Sequence, residues 1–134
     1  MPKCVYISCD YHERELEQVK KVCGFLQVSG CLILFAPQPE WSFYDAIETS
    51  IDQCDTFIAI VGLGQDGSTW LSKELHYAYA LNQARTRKRP RLFGLAVEGY
   101  KIPKISEHIP LEWISESNME LLLQDAPRYG KLWT

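Results

Sequence analysis

Short apolar runs of strand character alternate with segments of helical period along this chain, and the alternation repeats four times with brief connections. Thr56-Phe-Ile-Ala-Ile-Val61 is the strongest of these runs, apolar and β-rich almost throughout, as a strand covered on both faces requires. Cys4 to Ser8, Cys31 to Phe35 and Arg91 to Val97 share that character and predict three more strands. Between them, Leu16, Val19, Val22, Cys23 and Leu26 recur at helical spacing before the stop signal of Gly30. Phe43, Ala46, Ile47 and Ile51 form a second stripe behind Ser42 as cap, and Leu71, Leu75, Ala78 and Leu81 mark a third helix opened by Ser68 or Thr69.

Strands joined through helices pair in parallel through right-handed crossovers. The expected fold is therefore α/β, a flavodoxin-like three-layer sandwich around a mainly parallel five-stranded sheet with Thr56 to Val61 at its centre. Beyond Glu98 the pattern weakens, with Leu111 to Ile114 as a fifth, edge strand and Met119 to Gln124 as a last short helix. No linker or repeat interrupts the chain, so residues 1–134 read as one domain, a length that buries a core without metals or disulfides.

A formal net charge of -3 sets up no global attraction to nucleic acid or to an anionic membrane. The basic run Arg85, Arg87, Lys88, Arg89 and Arg91 lies where a helix ends, and cations are favoured there on electrostatic grounds alone. Five cysteines show no C-x-x-C spacing and no histidine-rich partner segment, so no metal site is expected and the thiols read as free, in keeping with a reducing cytoplasm. No apolar stretch approaches the ~20 residues that span a bilayer. The N-terminus turns polar too soon for a signal peptide, so a cytoplasmic address without membrane attachment is expected.

Ligands of such sheets collect at the carboxyl ends of the strands. Three stretches qualify here: Cys9 to Tyr11, Ala36 to Trp41 and Gly62 to Trp70. Gly62, Gly64 and Gly67 do not make a dinucleotide fingerprint, and no serine or cysteine sits in a nucleophile elbow or beside a histidine partner. His12, His76 and His108 lack acidic or cysteine partners at useful spacing. Glu74 stands out instead, one helical turn beyond Trp70 and on the same face, near the strand ends. From position alone, an ordinary solvated glutamate in the opening turns of a helix would look the same.

A family resemblance gives Glu74 a role. Val5-Tyr-Ile-Ser-Cys-Asp-Tyr-His-Glu-Arg-Glu15 resembles the first strand and following loop of Toll/interleukin-1 receptor (TIR) domains, a hydrophobic F-I-S-Y-S followed by charged residues. Ala46-Ile-Glu-Thr-Ser-Ile-Asp-Gln-Cys-Asp-Thr-Phe-Ile-Ala-Ile-Val61 is similar to the family's second helix and central strand. Ser68-Thr-Trp-Leu-Ser-Lys-Glu-Leu75 resembles the S-x-W-C-x-x-E-L helix start that carries the catalytic glutamate of enzymatic TIR domains, with Leu71 in place of the cysteine. The segment Ala36 to Trp41 lacks the family's arginine-aspartate and glycine pattern, so adaptor-style binding through it is not implied.

The resemblance implies a stand-alone TIR enzyme, of the kind found in prokaryotic antiviral defence, that cleaves the nicotinamide–ribose bond of NAD⁺ to give linear or cyclic ADP-ribose. NAD⁺ would be substrate, with no cofactor, and self-association through TIR surfaces would accompany activation. Glu74 would be catalytic, with Ser8, Cys9, Asp10, Phe35, Trp41, Ser68 and Trp70 around the substrate, Phe35 and Trp41 offering flat faces to a base. A second resemblance is to nucleoside deoxyribosyltransferases. Asp66-Gly-Ser-Thr-Trp-Leu-Ser-Lys-Glu-Leu-His-Tyr-Ala-Tyr-Ala-Leu81 is similar to their D-S-G-T-x-x-E-x-G-Y-A-Y-A-L helix, with His76 where that family has glycine. The third alternative is a non-enzymatic interaction module.

Overall fold

The computed structural model describes residues 3–8, 13–35, 44–61, 69–84, 89–96 and 109–124. Strand β1 is Cys4–Ser8, helix α1 Glu13–Val28, β2 Leu32–Phe35, α2 Tyr44–Gln53, β3 Thr56–Val61, α3 Thr69–Ala84, β4 Arg91–Ala96 and β5 Glu112–Ile114. A 3-10 helix, Glu116–Leu123, follows β5. The strands pair in the order β2-β1-β3-β4-β5, every pair is parallel, and β3 occupies the centre. This is the flavodoxin-like α/β arrangement that the alternating pattern predicts.

Successive side chains of a strand point to opposite faces of a sheet, and the core divides accordingly. Val5 and Ile7 of β1, Ile58 and Ile60 of β3, Phe93 and Leu95 of β4 and Ile114 of β5 pack with Val19, Val22 and Leu26 of α1 and with Met119 and Leu122 of the 3-10 helix. Tyr6, Phe57, Ala59 and Leu92 pack on the other face with Ile51 near the end of α2 and with Leu75 and Ala78 of α3. The helices thus form two outer layers, and both faces of the central strands are buried.

Gly30 ends α1 with φ +83°, a left-handed conformation open to glycine at little steric cost. Its N–H donates to the Gln27 carbonyl and that of Cys31 to the Leu26 carbonyl, a paired arrangement that satisfies the last carbonyls of the helix. The final helix is of the 3-10 type and begins three residues before the predicted Met119, where Ser115 caps it. The Ser115 hydroxyl accepts from the Ser117 N–H, while the Ser115 N–H donates to Oδ1 of Asn118.

Polar contacts tie the amino ends of the strands together, opposite the end where ligands of such sheets bind. Asp55 accepts the Cys4 N–H at 2.9 Å and forms an ion pair with Arg89 at 3.1 Å. Arg91 meets Glu112 through Nε and Nη2 at 2.5 and 2.7 Å. Lys3 and Arg91 also donate to the carbonyls of Leu123 and Gln124, closing the end of the 3-10 helix. Two members of the basic run, Arg89 and Arg91, therefore hold structural ion pairs. Among the described residues no helix is long and apolar enough to cross a membrane.

Candidate active site

Tyr6 and Ser8 stand two residues apart on β1, so both project onto the face covered by α2 and α3. Glu74 is the sixth residue of α3, in its second turn, and it neighbours Leu75 and Ala78, which pack on that same face. Because α3 follows β3 and runs back along the sheet, its second turn lies beside the carboxyl end of β1. The strand and the helix meet there through one carboxyl group. The Tyr6 hydroxyl donates to Oε2 of Glu74 at 2.7 Å, and the Ser8 hydroxyl donates to Oε1 at 2.5 Å.

Glu74 is 3% exposed, so it is not a solvated residue of a helix start. Burying a carboxyl group without partners is strongly unfavourable, and hydroxyl donors on both oxygens replace the water it has lost. Tyr6 is itself positioned from the neighbouring strand. Its register partner is Phe57 of β3, and the two rings stack at 5.5 Å between centroids with 9° between their planes. The Tyr77 hydroxyl donates to Oδ1 of Asp52 at 2.9 Å and links α3 to α2. The helix that carries Glu74 is thus held to the sheet and to its neighbour.

Of the residues expected around a substrate, Ser8 is brought against Glu74. Cys9, Asp10, Trp41 and Ser68 lie outside the described residues, as do most of the three candidate loops. Phe35 closes β2 and Trp70 stands in the first turn of α3, while both side chains lie outside the described residues. His76 is exposed, and His12 and His108 are outside the described residues.

Tyr6 is the partner that sequence reasoning missed. Its signal was a hydroxyl on an otherwise apolar strand, sharing parity with Ser8, since each hydroxyl on a buried strand face needs a partner. Among the described residues no group of three or more His, Cys, Asp or Glu side chains could hold a metal ion. Cys4, Cys23, Cys31 and Cys54 are free thiols. Burial pushes those of Cys4, Cys23 and Cys31 above the ordinary thiol value; the Asp55 charge adds to the effect at Cys4, and Lys3 partly offsets it at Cys31.

Comparison with protein-family models and with curated proteins returns no match for this chain.

Proposed function

We propose that the chain is a TIR-type NAD⁺ nucleosidase, a glycohydrolase or ADP-ribose cyclase, acting through Glu74 and serving signalling or antiviral defence. The observation that carries this reading is a single buried glutamate, 3% exposed, tethered by the Ser8 hydroxyl to the carboxyl end of β1. Ligands of this fold bind at that end, and a carboxyl group held there by side chains of a central strand is pre-positioned for chemistry.

In the proposed reaction the bond from the sugar C1 to the nicotinamide nitrogen breaks, and its electron pair neutralises the pyridinium ring. Nicotinamide leaves as a neutral base, so no general acid is needed. The sugar carbon becomes an oxocarbenium centre, which a carboxylate in a water-poor site stabilises or traps as a covalent ester. Attack by water gives ADP-ribose, and attack from within the same molecule gives a cyclic product. With so little surface exposed, Glu74 reaches a substrate only when neighbouring atoms give way. Binding is therefore expected to rearrange the surroundings of the β1 end, and self-association on activation fits that requirement.

The test is to incubate the purified chain, alone and crowded into assemblies, with NAD⁺ and separately with deoxynucleosides, following released base, with Glu74→Gln as control. Nicotinamide release that disappears in the variant supports the reading. Release from deoxynucleosides alone replaces it with deoxyribosyl transfer, which would use the same carboxyl group as nucleophile. Release from neither substrate in any assembly leaves the interaction module.

A further inference from the structure

The two edges of the sheet differ. On one side the outer strand, β5, has three residues, follows Pro110 and carries the charged Glu112. Shortness, proline and charge are the means by which sheet edges are kept from pairing with further strands. On the other side the outer strand, β2, is Leu32-Ile33-Leu34-Phe35 and has no proline and no charge. The uncharged stretch runs from Val28 through Phe35. Val28 and Leu32, 91% and 53% exposed, stand at the start of this edge. Val28 belongs to the layer of α1, while Leu32 shares the parity of Leu34, which packs on the opposite face of the sheet. The edge is therefore apolar on both sides.

Its backbone has a direction as well. The Leu32 N–H donates to the Lys3 carbonyl at 2.8 Å, and Leu32 and Leu34 are the register partners of Cys4 and Tyr6. In a parallel ladder of that register, Leu32 and Leu34 turn their N–H and C=O groups toward β1, and Ile33 and Phe35 turn theirs away from it. Among the described residues no strand lies beyond them. We propose that this edge joins a second copy of the chain, β2 against β2, antiparallel about a two-fold axis at Leu34. Ile33 of each copy then faces Phe35 of the other, and the outward N–H groups of each edge meet the outward C=O groups of its partner with none left over. Two properties favour a copy of this chain over an unrelated strand. A two-fold antiparallel pairing is self-complementary and satisfies both edges at once. A chain of formal net charge -3 avoids setting like charges against its own copy only over a surface that carries none, and the stretch from Val28 through Phe35 is such a surface.

The test is sedimentation of the purified wild-type chain, without substrate, from low micromolar to several hundred micromolar. It is expected to pass from monomer to dimer and to stop there, because a closed two-fold pairing leaves no β2 edge free. Over the same range, hydrogen exchange read by NMR is expected to slow at the Ile33 and Phe35 amides, while the Leu34 amide is already protected in the monomer. Ile33→Pro removes an outward N–H and leaves the bonds to β1 in place, the position at which an edge strand tolerates proline. Leu32→Lys sets a charge on the apolar edge. Each variant, its folding verified by circular dichroism, is expected to dimerise at least about tenfold more weakly than wild type. A wild-type chain that stays monomeric throughout overturns the proposal. So does a dimer that the folded variants form as tightly as wild type, or one in which the Ile33 and Phe35 amides gain no protection, since the contact then lies elsewhere. If Ile33→Pro does not fold, Leu32→Lys and the exchange rates decide. No turnover is measured, so failure of the reading of Glu74 leaves this inference standing, and its own failure leaves that reading intact.

Discussion

The Tyr6 hydroxyl lies 2.7 Å from Oε2 of Glu74 and joins two residues 68 positions apart in the chain. Neither belongs to a loop. One is in the interior of a central strand and the other is in the second turn of a helix, so the contact depends on how α3 packs on the sheet. The stack of Tyr6 on Phe57 adds β3 to the same unit. Three elements thus set the direction of one carboxyl group.

Tyr6→Phe keeps the ring and its stack but removes the donor to Oε2. Loss of a partner from a buried acceptor is expected to cost about 1–3 kcal/mol of stability, read from urea unfolding. On the proposed reaction, kcat should fall about tenfold while KM changes little, because a bond that fixes the direction of the carboxyl group is gone. An unchanged kcat would show that the bond from Tyr6 does not position Glu74.

Glu74→Gln and Glu74→Ala are expected to separate chemistry from structure. The glutamine amide retains an acceptor oxygen and can donate to a hydroxyl that turns to accept, so its melting temperature should stay close to wild type while base release is lost. Alanine leaves the hydroxyls of Tyr6 and Ser8 without this partner and opens a cavity, for an expected loss of about 2–4 kcal/mol. Equal stability of the two variants would mean that the bonds to Glu74 contribute little to the fold.

Gly94 of β4 lies against its register partner Trp113 of β5, and a Cβ on Gly94 would stand 2.8 Å from the indole ring. Gly94→Ala is therefore expected to destabilise by about 1–3 kcal/mol through overpacking. The same change in a Trp113→Leu background should cost markedly less, a non-additivity that a double-mutant cycle measures directly. Additive effects would show that the strands shift to make room.

Raised thiol values in the folded chain carry a sign for stability. The native state holds protons on Cys4, Cys23 and Cys31 that the unfolded chain releases near the ordinary thiol value, so the stabilisation is complete below that value. It is lost as pH rises through the folded values. Urea midpoints are expected to fall on the alkaline side of about pH 8.5, and alkylation of these thiols at neutral pH should be slow compared with free cysteine. A midpoint that holds steady well into the alkaline range would contradict this.

The order of strands and helices was legible because each element carries a local signature. Thr56 to Val61 has the composition of a strand buried on both sides, and Val19, Val22 and Leu26 have the spacing of a helix with one buried face. Glu74 was legible as a position, near the start of a helix that follows the central strand, and Ser8 as the end of the first strand. The edge of the fold was read less well. The last helix begins earlier than its apolar residues suggest, because Ser115 and Asn118 start it through side-chain bonds rather than through a hydrophobic stripe.

Local composition and spacing thus sufficed for the elements and their parallel pairing, since burial on one face or two leaves its period in neighbouring residues. The pairing of Tyr6 and Ser8 with Glu74, and of Arg89 with Asp55 and Arg91 with Glu112, came only from folding. Such contacts join distant segments, and their formation depends on sheet register and on the rotation of a helix about its axis, which no short window of residues specifies. A glutamate that looks the same on paper whether solvated or enclosed became a buried, doubly bonded carboxyl group because α3 turns that side toward β1.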